Sequence, residues 1–172
     1  RTLTYHRDRG FGMDAYTVGA TLGAGTPALM DGKNFIYPRC YKKVEILDNG
    51  PLRFKVRMTF DAIKTENNDI VEETRVITLD KGTHLNKCEV NYAGLTTPHK
   101  VAAGIVVHKS DDKAYVMNKK GGYVAYADAM DHPEVMNGQV YIGCVFPQFK
   151  SMKYLPLEKE TAGGISFVKL FS

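Results

Sequence analysis

The sequence predicts an all-β fold, an antiparallel β-sandwich, on three observations. Several runs alternate strictly between apolar and polar residues. Gly and Asn turn signals separate those runs at regular spacing. Helical periodicity is almost absent. The clearest run is Leu52 to Phe60, where Leu52, Phe54, Val56, Met58 and Phe60 alternate with Arg53, Lys55, Arg57 and Thr59. Successive side chains of a strand point to opposite faces, so this strand is expected to have one dry face and one wet face.

Residues 1–26 are Gly-rich with little alternation and read as a long loop that packs over something. Loops of that length in compact domains often carry function. Residues 27–172 read as a strand meander. Tyr41 to Leu47 enters the turn Asp48-Asn49-Gly50, whose Asn and Gly tolerate positive φ, and leads into the Leu52 strand. Ile70 to Leu79 follows the polar loop 65–69, and Asp80-Lys81-Gly82 turns it into Leu85 to Tyr92. Val101 to His108 is apolar on both faces and is therefore expected to be central. Lys113 to Met117, Tyr123 to Ala127 and Gln139 to Phe146 complete the series. The one helix candidate, Asp128 to Met136, is limited by Pro133.

Composition narrows the class. The 172 residues are 44% hydrophobic, which excludes a disordered tail and makes a single sandwich domain the default. The longest apolar run, Val101 to Val107, falls far short of the roughly 18 apolar residues of a membrane span. The 23 basic and 19 acidic residues give a net charge of +4. The basic residues are scattered along polar strand faces rather than gathered in a stripe, which argues against a nucleic-acid partner. Three widely spaced cysteines without a C-x-x-C support neither a zinc ribbon nor a thioredoxin-type site, and Cys88 and Cys144 are expected to be buried free thiols. The chain starts at Arg1 without a Met, so a processed form or a fragment is expected.

Most motifs fail on context. Gly23-Ala24-Gly25-Thr26-Pro27-Ala28 matches a dinucleotide fingerprint, but no βαβ unit surrounds it. Glu72 and Glu73 are strand neighbours that point to opposite faces and form no dyad, and Asp111-Asp112 reads as a solvated turn. No nucleophile elbow, zinc-protease or calcium-loop pattern occurs, so neither a metal nor a cofactor is expected.

One cluster is informative. Tyr5-His6-Arg7-Asp8-Arg9-Gly10, followed by Asp14-Ala15-Tyr16, gathers an imidazole, two guanidiniums, carboxylates and phenols on the Gly-rich loop. Arg7 and Arg9 can grip a carboxylate or a vicinal diol in a fork, Asp14 can accept from hydroxyls, and Tyr16 can stack on a sugar face. His6 can act as acid or base near neutral pH. The plainer alternative is a polar loop tied down by Arg–Asp pairs. His108 is the second acid–base candidate. Alternation puts it on the Ala102, Gly104 and Val106 face, where small residues leave room for a ligand; a strand-end imidazole bonded to a loop is the alternative. His99, in the loop after Pro98, is a candidate substrate-binding residue. His84 and His132 read as structural or exposed.

The Val44 to Arg53 hairpin, with its Gly50-Pro51 turn, precedes the Ile77 to Leu85 hairpin. This order resembles the supersandwich of galactose-mutarotase-like domains, which also occurs in polysaccharide lyases and glycosidases. Tyr5 to Met30, Gly50-Pro51 and Ala102 to His108 together resemble an uncharacterised bacterial family. Its members are secreted or periplasmic and found beside polysaccharide-degrading enzymes. They are about twice as long, so the resemblance implies that this chain is the C-terminal part of a larger domain, with an N-terminal half as partner. It implies a carbohydrate ligand and an enzyme of hydrolase, lyase or epimerase type. A non-catalytic carbohydrate-binding or structural sandwich is the alternative.

Overall fold

The computed structural model of the chain describes residues 5–14, 16, 18, 19, 21–108, 115–130, 138–156 and 165–171, with the backbone alone for 155, 156 and 165–171. Among the described residues thirteen strands follow one another: β1 (Ala24–Asp31), β2 (Asn34–Ile36), β3 (Tyr41–Asn49), β4 (Arg53–Phe60), β5 (Ile63–Lys64), β6 (Ile70–Asp80), β7 (Asn86–Ala93), β8 (Lys100–Val107), β9 (Tyr115–Asn118), β10 (Tyr123–Ala129), β11 (Gln139–Val145), β12 (Ser151–Pro156) and β13 (Ile165–Phe171). The described residues contain no helix, and their registered pairings are antiparallel. The all-β, antiparallel class read from the sequence is therefore the class found.

Two elements differ from expectation. The predicted helix does not start at Asp128, because Asp128 and Ala129 close β10 and pair with Val140 and Gln139. Period-two alternation runs through to this point, with Val124, Tyr126 and Asp128 all buried. The rest of the predicted helix, and Asp111-Asp112 and His132, lie outside the described residues. Strands β1, β2, β5, β12 and β13 were not expected; β1 and β12 carry Gly or Pro, which obscures a strand pattern.

The chain forms two compact units, Arg1–Pro27 with Val101–Ser172, and Ala28–Lys100. In the first, β12, β13, β8 and the start of β1 make one sheet, and β11-β10-β9 make another. They pack as a sandwich through Ala103, Ile105 and Val107 of β8, Val124 and Tyr126 of β10, Phe146, and Met152 of β12. Fully burying a side chain such as Ile105 or Val107 contributes about 1.5–3 kcal/mol. Val101 to Val107 is the central, doubly covered strand that its apolar run predicts.

In the second unit, β3, β4 and β6 are neighbours, and β7 pairs with β6. Register fixes two opposed faces. Arg57 and Lys55 meet Glu45 and Asp48 on the wet face, where Arg53 bonds Asp80 at 2.6 Å and Lys42 bonds Glu72 at 2.6 Å. Such exposed pairs contribute about 0–1 kcal/mol each. On the apolar face, Val44, Ile46, Phe54, Val56, Met58, Ile77 and Leu79 are aligned by the same registers. Only part of this face is covered. Phe60 and Val71 are buried, whereas Ile46 is 62% exposed, and Val44, Phe54 and Leu79 are exposed as well. Glu73 is the one carboxylate buried on this side; Arg75 bonds its Oε1 and stacks over Phe60. Burial pushes the Glu73 carboxyl up, against the opposing pull of Arg75.

The three cysteines are free, as expected, but their placement differs from the reading. Cys144 is partly buried, and burial pushes its thiol up to about 11. Cys88 is exposed rather than buried, because its register opposite Ile77 puts it on the apolar face that is only partly covered. Among the described residues, no helix is long and apolar enough to cross a membrane.

Gly94 closes β7 with φ +97°, and a Cβ there would lie 2.2 Å from the Ile70 carbonyl oxygen. Neither the backbone angle nor a backbone neighbour can relax cheaply. Gly94→Ala is expected to lower unfolding free energy by roughly 2 kcal/mol or more. Urea unfolding checks this; a midpoint equal to wild type would contradict it.

Candidate functional site

The site is built where β8 ends. Strand geometry stops at Val107 and the chain bends at His108. The imidazole therefore leaves the Ala102, Gly104 and Val106 face that alternation assigns it. That face is itself closed, since all three of those residues are buried. His108 reaches instead to β10, whose buried positions are Val124, Tyr126 and Asp128. Its Nδ1 lies 2.5 Å from Asp128 Oδ2, and its backbone N–H donates to the Tyr126 hydroxyl at 3.3 Å. Asp128 Oδ1 also accepts from the Ala129 N–H at 2.8 Å, so both carboxylate oxygens are engaged.

This arrangement fixes the imidazole chemically. A carboxylate oxygen accepts, so Nδ1 of His108 carries a proton directed at Asp128. A carboxylate that holds an imidazole in one tautomer also stabilises the imidazolium formed when Nε2 takes up a proton. The pair is mostly covered, with side-chain exposures of 19% for His108 and 7% for Asp128, which strengthens the electrostatic coupling.

Tyr16 completes the inner part of the site. Its hydroxyl donates to the Val106 carbonyl at 2.6 Å, and its ring meets the His108 ring edge-on at 5.1 Å. Burial, and then the Asp128 charge, push the phenol well above its usual range, so it stays a neutral donor. The sequence reading gave Tyr16 a stacking face for sugar; here its hydroxyl and ring edge are engaged with the protein.

The Gly-rich loop is organised differently from the Arg–Asp pairing considered above. Asp8 Oδ1 accepts from the N–H groups of Gly10 and Gly12, at 2.8 and 3.1 Å. Those backbone bonds hold the Asp8 carboxyl below its ordinary range. Both glycines have φ +92°, which the tight tip requires. The His6 Nδ1 donates to the Asp14 carbonyl at 2.6 Å, and the Asp14 N–H donates back to the Tyr5 carbonyl at 3.1 Å. His6 thus closes the base of the loop and stacks on Tyr5 at 4.2 Å. Arg7, Arg9 and Asp14 are exposed, and among the described residues no ion pair joins them.

The structure thus brings Tyr16 and His108 together and joins His6 to Asp14. His99 belongs to the other unit, where it lies beside Asp31. Three residues escaped the sequence reading. Asp128 was assigned to a helix, and Tyr126 was read only as part of a strand. Phe11 is 99% exposed at the tip between the two pinned glycines. The Gly-Phe-Gly triplet after an Asp was the available signal for it. Among the described residues no group of three or more His, Cys, Asp or Glu side chains gathers as metal ligands.

The fold and this site define an all-β domain with a carboxylate-held imidazole at the end of a sandwich. The chain belongs to the family described as Domain of unknown function (DUF4861), whose profile matches residues 1–165. It is similar to "Uncharacterized protein P7" of Formosa agariphila, with 25% identity over 123 residues, 71% of this chain and 30% of that protein. The matched region therefore spans under a third of that relative's length. No solved structure matches the chain.

Asp128→Ala leaves the part-buried Nδ1–H without its acceptor, at a cost of about 1–3 kcal/mol. Nitrogen-15 spectra of the histidines are expected to show His108 as the Nδ1–H tautomer in the wild type and to lose that pattern in the variant. An unchanged His108 signal in Asp128→Ala would contradict the pairing.

Proposed function

We propose that this domain acts on a carbohydrate, with His108 as the acid or base and Asp128 as the residue that orients it. The observation that carries the reading is the 2.5 Å contact between His108 Nδ1 and Asp128. An imidazole oriented by a carboxylate is suited to moving one proton to or from a sugar oxygen or carbon, as hydrolase, lyase and epimerase chemistry all require. Arg7, Arg9 and Asp14 serve as exposed hydrogen-bonding groups, and Phe11 supplies an apolar face for a sugar ring. His6 is the second acid–base candidate, and its Nδ1, bonded to the Asp14 carbonyl, also holds the base of the loop. The galactose-mutarotase-like character, and a secreted or periplasmic setting among polysaccharide-degrading enzymes, belong to the same proposal and rest on the resemblance of the hairpin and loop motifs.

A glycan-array screen followed by product analysis tests it, with plant-type and uronic-acid-containing glycans as first substrates. On a turned-over glycan, His108→Ala is expected to lower kcat by 100-fold or more, within the 10²–10⁴-fold range typical of one acid–base group. Arg9→Ala and Phe11→Ala are expected to raise KM with little change in melting temperature. Wild-type turnover in His108→Ala would sink the assignment.

One observation favours a second reading, in which the chain is a structural sandwich within a larger assembly. The half-open apolar face around Val44, Ile46, Phe54 and Leu79 is larger than scattered surface residues explain. The N-terminal half of a longer protein is the proposed cover, in keeping with a relative of which the match spans only 30%. Ile46→Lys is expected to abolish hydrophobic-dye binding and any self-association of the isolated chain in sedimentation. A monodisperse wild-type chain that binds no dye would contradict this reading.

A further inference from the structure

We infer that the Ala28–Lys100 unit carries a second binding site, for a vicinal diol of a sugar, in the cleft between Asp31 and His99. It shares with the preceding proposal only the ligand class. The cleft measures about 250 Å³ and is lined by Met30, Asp31, Asn67, Pro98, His99 and Lys100. Three segments build it: the β1–β2 hairpin, the loop between β5 and β6, and the segment that enters β8.

The chemistry follows from the hydrogen bonds already made. His99 Nδ1 lies 2.9 Å from the Thr97 carbonyl oxygen. That oxygen only accepts, so Nδ1 donates to it, and with the ring in its neutral form, which the inference requires, Nε2 presents a lone pair. Asp31 Oδ2 accepts from the Glu66 N–H at 2.5 Å. Its other oxygen, Oδ1, faces His99 Nε2 at 4.0 Å, beyond hydrogen-bond reach. Both side chains are more than nine-tenths buried. Asp69 fixes the His99 segment by accepting from the Thr96 N–H at 3.0 Å and the Thr96 hydroxyl at 2.7 Å.

Two anchored acceptors therefore stand side by side and ask for two donated protons. Adjacent hydroxyls of a sugar supply one each. Their oxygens in turn accept from the Lys100 ammonium and the Asn67 amide, while Met30 and Pro98 face the C–H surface of the ring. A ligand ammonium would also donate twice, but Lys100 at the cleft opposes a second cation. The plainer alternative is a structural imidazolium–carboxylate pair, in which Nε2 is protonated and the gap takes no ligand.

Histidine side-chain nitrogen-15 spectra of the whole chain, titrated with methyl α-D-mannopyranoside, separate these. Tetrahydropyran-2-methanol, a ring without adjacent hydroxyls, is the control. The inference expects a saturable shift of His99 Nε2 with the mannoside and none with the control. Asp31→Asn is expected to weaken the response at least tenfold. If that variant fails to fold, Lys100→Ala at the cleft is expected to weaken it several-fold. No saturable His99 shift, an equal response to both probes, or an unchanged affinity in the folded variants would overturn the site. The His108 signal in the same spectra reports on the other site, so the failure of one reading is seen apart from the failure of the other.

Discussion

The molecule depends on the double burial of β8. From Ala102 to Val107 every residue of this strand is removed from solvent, so both of its faces must be covered and both of its edges paired. The Ala103, Ile105 and Val107 face is covered by the β9–β11 sheet through Val124 and Tyr126. One edge is taken by β13, in register from Val101 with Phe171 to Val107 with Ile165. On the other side, the Val106 N–H donates to the Gly23 carbonyl at 2.7 Å, while the Val106 carbonyl takes the Tyr16 hydroxyl. Two stretches of the Gly-rich loop are thus fastened to one residue of the central strand.

That fastening explains how a loop with little regular structure holds its side chains in fixed places. Tyr16 ties the end of the loop to β8 and also forms one wall of the His108 environment. The His6–Asp14 and Asp14–Tyr5 bonds close the loop on itself, and Asp8 pins the tip. The arginines and Phe11 are left exposed on a shaped turn. His108 gains its place because β8 must end, and the strand that covers its inner face offers a carboxylate at the next buried position.

Much of the fold was legible in the sequence because period two is a local signal. Leu52 to Phe60, Ile70 to Leu79 and Tyr123 to Ala127 each show which side is dry. The Asn49-Gly50 and Lys81-Gly82 turns mark where strands reverse. What local pattern could not supply was pairing across the chain. Strand β13 joins β8 over a long separation, and nothing in its own residues names that partner. The candidate site was legible only in part for the same reason. His108 stood out as a histidine at the end of an apolar run, but its partner Asp128 lies 20 residues on, at the start of the stretch read as a short helix. Alternation also misdirected the His108 ring, because it assumes that the strand continues. For Leu52 to Phe60, period two assigned the apolar side correctly, but it did not tell that this side is only half covered.

Under the proposed function, the pinned loop and the Asp128-held imidazole act on one glycan. Hydrogen exchange of the 172-residue chain, with and without the tightest-binding glycan from an array, tests it most directly. Protection confined to residues 5–16, the His108 bend and the end of β10 is the predicted result. Protection that leaves these segments unchanged, or an array on which no glycan binds, would contradict the account.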